Sequence, residues 1–147
     1  MINYEPIERI HQSEHGSVVL KVKNTDTGEI CALKLIGQLN NKLNRLIFKR
    51  EVAALRKLNQ FEDVVKIYDS SDKLRYKKQS GYGAILLELL DGQPFHTIDF
   101  CEFSDLKKII VCRNSAMAVL HAHQCGVLHR DIKPSNIMLV DNNNKIK

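Results

Sequence analysis

No run of apolar residues in this sequence approaches the roughly 18 needed for a membrane-spanning helix, so no membrane span is expected. Residues 1–6 offer neither a charged leader nor an apolar stretch, so no signal peptide is expected either. The four cysteines, Cys31, Cys101, Cys112 and Cys125, contain no C-x-x-C pair and no zinc-ligand spacing with a histidine pair. That excludes a recognisable zinc site from sequence, and the four read as reduced thiols of a cytoplasmic, intracellular protein. Internal repeats and low-complexity linkers are also absent.

What is present is ordinary for a globular chain. The 147 residues suggest one domain, two at most, with 44% hydrophobic and 27% charged residues. That is enough to bury a core without disulfides or a structural metal. The net charge of +5 is lopsided: residues 1–80 hold 15 Lys/Arg against 10 Asp/Glu, and residues 81–147 hold 7 against 7. Such an excess suits nucleic acid, phosphates or acidic proteins. No nucleic-acid-binding motif accompanies it, so it is read as a solvated basic helix face.

The first half reads as strands around one helix. Residues 17–24 (SVVLKVKN) and 29–36 (EICALKLI) are apolar and rich in β-branched residues, and both are expected strands. Thr25-Asp26-Thr27-Gly28 between them is a turn in which Gly28 can take a positive φ. With a short apolar piece at 7–10 they form an antiparallel meander. Residues 41–59 change period. Leu43, Leu46, Ile47, Val52, Ala54, Leu55 and Leu58 fall near helical spacing, and Lys42, Arg45, Lys49, Arg50, Arg56 and Lys57 share the segment. Residues 64–68 and 82–89 are expected strands, and the polar stretch between them a loop.

The second half opens on a helix. Ser104 is a suitable N-cap and Asp105 suits the helix dipole. Leu106, Ile109, Ile110, Met117, Leu120 and His123 then recur at helical spacing, and Gly126 stops the helix. Residues 127–136 are a polar loop, 137–140 a short strand, 141–144 a turn, and 145–147 the beginning of another strand. His121 and His123 are two apart on the helix and make a poor metal pair.

The stretch His129-Arg130-Asp131-Ile132-Lys133-Pro134-Ser135-Asn136 carries the chemistry. A carboxylate, an amine and an amide stand at offsets of two and five on one loop. That set suits phosphoryl transfer: Asp131 can orient a hydroxyl and take its proton, Lys133 can offset phosphate charge, and Asn136 can offer an oxygen to Mg²⁺. The plainer reading of a bare His-Arg-Asp triplet is a polar turn held by local side-chain bonds.

The whole string HRDIKPSNIML at 129–139 resembles the catalytic loop of eukaryotic-type protein kinases, and Lys133-Pro134 resembles its Ser/Thr branch. The resemblance extends upstream in the right order. Cys31-Ala32-Leu33-Lys34 matches the V-A-I-K strand, and the helix at 41–59 offers one carboxylate, Glu51, to pair with Lys34. The pattern G-x-G-x-x-G-x-V falls on residues 11–18, where Gly16 and Val18 match, while His11 and Ser13 replace the first two glycines.

The resemblance implies an α+β, protein-kinase-like fold. An antiparallel five-stranded N-lobe sheet with one long helix spans residues 1–90, and an incomplete helical C-lobe spans 91–147. It implies ATP and Mg²⁺ as cofactors, with Asp131, Lys133 and Asn136 catalytic and Asn136 also a metal ligand. Ile10, Gly16, Val18, Ala32, Lys34, Glu51, Glu88, Leu90 and Met138 would hold the nucleotide, and Glu88 and Leu90 would present backbone groups to the adenine edge behind Leu87. Leu55, Ile67 and His129 would stack in the family's internal hydrophobic column. The implied function is transfer of the γ-phosphoryl group to protein Ser/Thr hydroxyls. The family's D-F-G segment would follow residue 147, so the chain is expected to be a truncated kinase, inactive or weak alone. The alternative is a pseudokinase or kinase-lobe mimic that binds nucleotide or a partner kinase. The expected partners are a protein substrate or partner kinase, with self-association through an exposed helix 104–125.

Overall fold

A computed structural model describes residues 3–12, 17–37, 39–76, 79–140 and 145–147. Gly16, Ser13 and the expected turn at 141–144 lie outside the described residues. The chain divides into two compact units, one of residues 1–56 with 66–89, the other of residues 57–65 with 90–147.

The first unit is built on β-branched alternation. Strands β1 (Tyr4–Gln12), β2 (Val18–Asn24), β3 (Ile30–Ile36), β4 (Ile67–Tyr76) and β5 (Gln79–Glu88) form one sheet in the order β1-β2-β3-β5-β4, with every pairing antiparallel. The turn at 25–28 closes β2 on β3. Asn24 Oδ1 accepts from the Asp26 and Thr27 N–H groups, and Gly28 takes φ +77°. Successive side chains alternate between the faces. One face buries Leu20, Val22, Cys31, Leu33, Leu35, Ala84 and Leu86. The Cys31 thiol is pushed up from its ordinary pKa by burial first and by Glu29 second, which keeps it protonated.

Helix α1 (Lys42–Leu58) covers the other face. Asn41 caps it, its Oδ1 accepting from the Leu43 N–H at 2.8 Å. Phe48, Val52 and Leu55 pack with Ile36, Leu39, Ile67, Ile85 and Leu87. The expected apolar stripe is thus rotated. Leu43, Leu46 and Ile47 point to solvent, Leu43 being 61% exposed, and Phe48 takes the inner position. The segment expected as a loop is also a hairpin. Ser70 and Ser71 stand opposite Ile85 and Ala84, and Tyr76 opposite Gln79, with register shifts along β4.

In the second unit, strands β6 (Gly92–Pro94), β7 (Met138–Val140) and β8 (Lys145–Ile146) form a small antiparallel sheet. Gly92 lies against the next strand: a Cβ there would sit 2.2 Å from the Leu139 carbonyl oxygen. Helix α2 (Asp105–Gln124) starts at Ser104, whose hydroxyl accepts from the Lys107 N–H at 3.3 Å. It ends in a Schellman motif. Gly126 takes φ +68°, its N–H donates to the His123 carbonyl, and the Val127 N–H donates to the Ala122 carbonyl.

The core here is Phe103, Val111, Leu139 and Ile146, with Phe95, Ile98, Phe100, Ala118 and Ile137 packed around it. Rings of Phe95, Phe100 and Phe103 meet edge to face at 4.5 and 5.4 Å. Helix α2 turns Val111, Ala118 and Ala122 inward, whereas Leu106, Ile109, Ile110, Met117 and Leu120 are exposed. Among the described residues no helix is long and apolar enough to cross a membrane.

Candidate active site

Residue parity places the first cluster. Ala32 and Lys34 share one face of β3, with Lys34 opposite Val19 on β2 and Ile85 on β5. Glu51 lies three residues after Phe48 and four before Leu55, so it shares the inner stripe of α1 and faces the sheet. Lys34 Nζ meets Glu51 Oε1 at 2.5 Å, with side chains 29% and 28% exposed. The sole acid on α1 is therefore turned onto Lys34 of β3.

The register places Val18 apart from Ala32 and Lys34. Val18 stands opposite Leu35 and packs with the Leu20–Leu33 core on the opposite face. Val19 shares the face of Ala32 and Lys34. The closing pair explains why, since the Asn24 N–H donates to the Glu29 carbonyl at 2.8 Å. Counting outward from that pair puts residue 19, not 18, across from Lys34. Ile10 sits at a bulge between the Arg9–Leu20 and His11–Val19 partners and is 49% exposed, so His11 rather than Ile10 is in register with Val19.

Glu88 ends β5 and is tied to Lys66 twice. Its N–H donates to the Lys66 carbonyl at 3.0 Å, and its side-chain Oε1 accepts from the Lys66 N–H at 2.6 Å. Leu55 and Ile67 pack together in the core of this unit.

The second cluster lies in the other unit, on the loop between α2 and β7. Arg130 takes φ +65°, the sole positive value for a non-glycine among the described residues. Such a conformation costs about 1–2 kcal/mol. Past it, the Asp131 N–H donates to His129 Nδ1 at 3.3 Å. Pro134, with its φ preset, opens a single turn of 3₁₀-helix over Pro134–Asn136. That turn brings Asn136 back: its Nδ2 donates to the Asp131 carbonyl at 2.9 Å and to Asp131 Oδ2 at 3.0 Å. Lys133 Nζ lies 2.8 Å from the same Oδ2. The three residues at offsets of two and five thus form one hydrogen-bonded group, open to solvent. Leu90 and Met138 belong to this unit and are half-buried, Met138 pairing with Pro94 on β6.

The Lys133 ammonium first, and the Asn136 amide second, hold the Asp131 carboxyl below the ordinary aspartate range. A depressed value means that any stability it lends is present above the unfolded-state pKa and lost as pH falls through the folded one. In a carbon-detected NMR titration, the Asp131 midpoint is expected below that of an unstructured aspartate. Lys133→Met is expected to raise it, and Asn136→Ala to raise it less. An unchanged midpoint in Lys133→Met would remove Lys133 as the cause.

One constellation has no local signature. His121 Nδ1 lies 2.9 Å from Asp63 Oδ2, and its ring stacks on Phe61 at 4.3 Å with 9° between planes. The three join the 57–65 segment to α2. His123 is exposed. Among the described residues no three His, Cys, Asp or Glu gather as metal ligands.

Similarity to known proteins agrees with this geometry. The family model of the protein kinase domain matches residues 4–147. The "MAPK/MAK/MRK overlapping kinase" of Mus musculus is 27% identical over 141 residues, covering 95% of this chain and 32% of that protein. "Cyclin-dependent kinase-like 1" of Caenorhabditis elegans is 28% identical over 149 residues, covering 97% and 39%. "Cyclin-dependent kinase 12" of the same organism is 30% identical over 157 residues, covering 100% and 21%. The chain therefore spans well under half the length of these relatives. A kinase-type sheet with its Lys34–Glu51 pair, a complete His-Arg-Asp loop and a family match along nearly all its length make this chain a member of the eukaryotic-type Ser/Thr protein kinase family.

Proposed function

We propose that this chain binds ATP with Mg²⁺ and serves γ-phosphoryl transfer to Ser/Thr hydroxyls of a protein substrate. The observation that carries the reading is the Asp131–Lys133–Asn136 group, a carboxylate kept ionised and aimed on a solvent-open loop. Asp131 would orient the substrate hydroxyl and receive its proton as the new oxygen–phosphorus bond forms. Lys133 would offset charge on the transferring group. Glu51 would hold Lys34 extended, so that its ammonium meets the α- and β-phosphates. Ala32, on the face of β3 that carries Lys34, would contact the base, with Glu88 at the end of β5 offering main-chain groups to its edge.

The donor set suits a metal that arrives with the nucleotide. Asn136 spends its nitrogen on Asp131, so its amide oxygen is the hard donor remaining for Mg²⁺. Mg²⁺ held by few protein oxygens takes its other ligands from phosphate and water. Bound Mg²⁺ neutralises the phosphate charge. The reaction would take place inside the cell, where the four free thiols stay reduced.

A second reading is a pseudokinase that binds nucleotide, or a lobe mimic that binds a partner kinase or a second copy through the exposed stripe of α2. It is favoured by His11 and Ser13, which stand where the family has glycine and restrict backbone approach to phosphate. Thermal shift with ATP separates the two. A rise in Tm that requires Mg²⁺ is expected for the catalytic reading. A rise indifferent to Mg²⁺ favours the pseudokinase, and no rise overturns nucleotide binding.

A further inference from the structure

Helix α1 covers the sheet with one side, and its other side combines apolar and basic residues. Leu43, Leu46 and Ile47 are 61%, 43% and 48% exposed. At i, i+3 and i+4 they form one apolar patch over the first two turns. Lys42 and Lys49 stand at i−4 and i+3 from Leu46, and Arg50 at i+3 from Ile47, so bases border the patch. All three bases are exposed and make no hydrogen bond or ion pair among the described residues. The one acid of α1, Glu51, is turned to the sheet and holds Lys34. The first turn carries no acid, so Lys42 stands at the positive end of the helix dipole with nothing on the helix to offset it. A solvated basic face accounts for the lysines but not for three large aliphatic side chains among them.

We infer that this face of α1 is a docking surface for an anionic lipid membrane: Leu43, Leu46 and Ile47 enter the acyl boundary while Lys42, Lys49 and Arg50 meet the negatively charged headgroups. Charge complementarity selects an anionic occupant, and the residue types select lipid over an acidic protein. Protein interfaces concentrate their energy in Trp, Tyr and Arg and are depleted in Lys. The aromatic of α1, Phe48, is spent on the core, and what remains outside is Leu, Ile and Lys, the composition of helices that lie in a lipid interface. Lying on a membrane requires one apolar face and no span, and the inner face of α1 keeps its place on the sheet. Neither nucleotide nor Mg²⁺ is needed for it.

The test is sedimentation of the full 147-residue chain with vesicles of phosphatidylcholine, either pure or with about one third phosphatidylserine. The wild type is expected to sediment with the mixed vesicles and to stay in solution with the pure ones. Lys42→Gln/Lys49→Gln/Arg50→Gln is expected to bind about a hundredfold more weakly, about fivefold for each charge. Leu43→Ser/Ile47→Ser is expected to lose about tenfold. The five side chains are exposed, so urea midpoints are expected to stay near that of the wild type. The chain has no tryptophan, so Leu46→Trp reports alone, and its emission is expected to shift to the blue on mixed vesicles only. A wild type that ignores the mixed vesicles overturns the inference, as does a Leu46→Trp emission that keeps its aqueous wavelength. Undiminished sedimentation of Leu43→Ser/Ile47→Ser shows charge attraction without insertion and overturns it as well. If the wild type binds soluble polyglutamate and not the mixed vesicles, the occupant is an acidic protein and the lipid assignment falls.

Discussion

Lys34→Met is expected to weaken Mg-ATP binding by about ten- to a hundredfold, the span of one charged hydrogen bond to phosphate. Methionine keeps much of the length and packing of the lysine stem and removes the charge. The effect on folding is expected to be small. Both partners of the Lys34–Glu51 pair are more than a quarter exposed, so the pair is worth about 1 kcal/mol or less. The variant therefore separates ligand binding from stability, with calorimetry reading the first and urea unfolding the second. Glu51 acts through Lys34, so Lys34→Met/Glu51→Ala is expected to bind no worse than Lys34→Met alone. A double variant that loses the two single effects in full sum would show that Glu51 meets the nucleotide independently. Wild-type affinity in Lys34→Met would remove Lys34 from the phosphate site.

Gly92→Ala is expected to produce the largest loss of stability from a single methyl group. The added carbon would sit 2.2 Å from the Leu139 carbonyl oxygen and 2.9 Å from Val140 Cγ1. Neither neighbour can yield easily. Leu139 is fully buried and its backbone is paired on both sides, to Gln93 and Ile146. Either β6 separates from β7 or the core beneath them shifts, at about 2–4 kcal/mol by analogy with overpacked cores. Gly126→Ala makes the contrast. Nothing lies within 4 Å of its added carbon, and the cost is confined to its φ of +68°, about 1 kcal/mol. Urea midpoints that rank Gly126→Ala below Gly92→Ala would show that the close approach at β6 does not hold.

The parts legible in the sequence were those set by neighbours in the chain. The turn at 25–28, the caps at Ser104 and Gly126, and the 129–136 loop depend on local hydrogen bonds between residues a few positions apart. The hairpin of β4 and β5 was hidden because Ser70 and Ser71 read as a loop, although their backbones pair with Ile85 and Ala84. Helix faces were ambiguous for another reason. Both α1 and α2 are apolar over more than one face, and the partner decides which is buried. Thus Phe48 displaced Leu43, Leu46 and Ile47, and Val111, Ala118 and Ala122 displaced Leu106 and Ile109. The place of Val19 was legible in principle, by counting strand partners outward from the Gly28 turn. The Glu88–Lys66 clasp and the His121–Asp63 pair join residues 22 and 58 apart, and no local pattern announces such contacts.

The Asp63–His121 pair bears on how the chain comes off the ribosome. The 57–65 segment is made before β4 and β5, yet its compact surroundings are supplied by residues 90–147. It must wait while more than fifty further residues are synthesised, and the loop it then closes carries a sizeable entropic cost. During that interval Phe61 has no imidazole to stack on. Arrival of α2 is thus the event that turns this part of the polypeptide from a tether into a folded element.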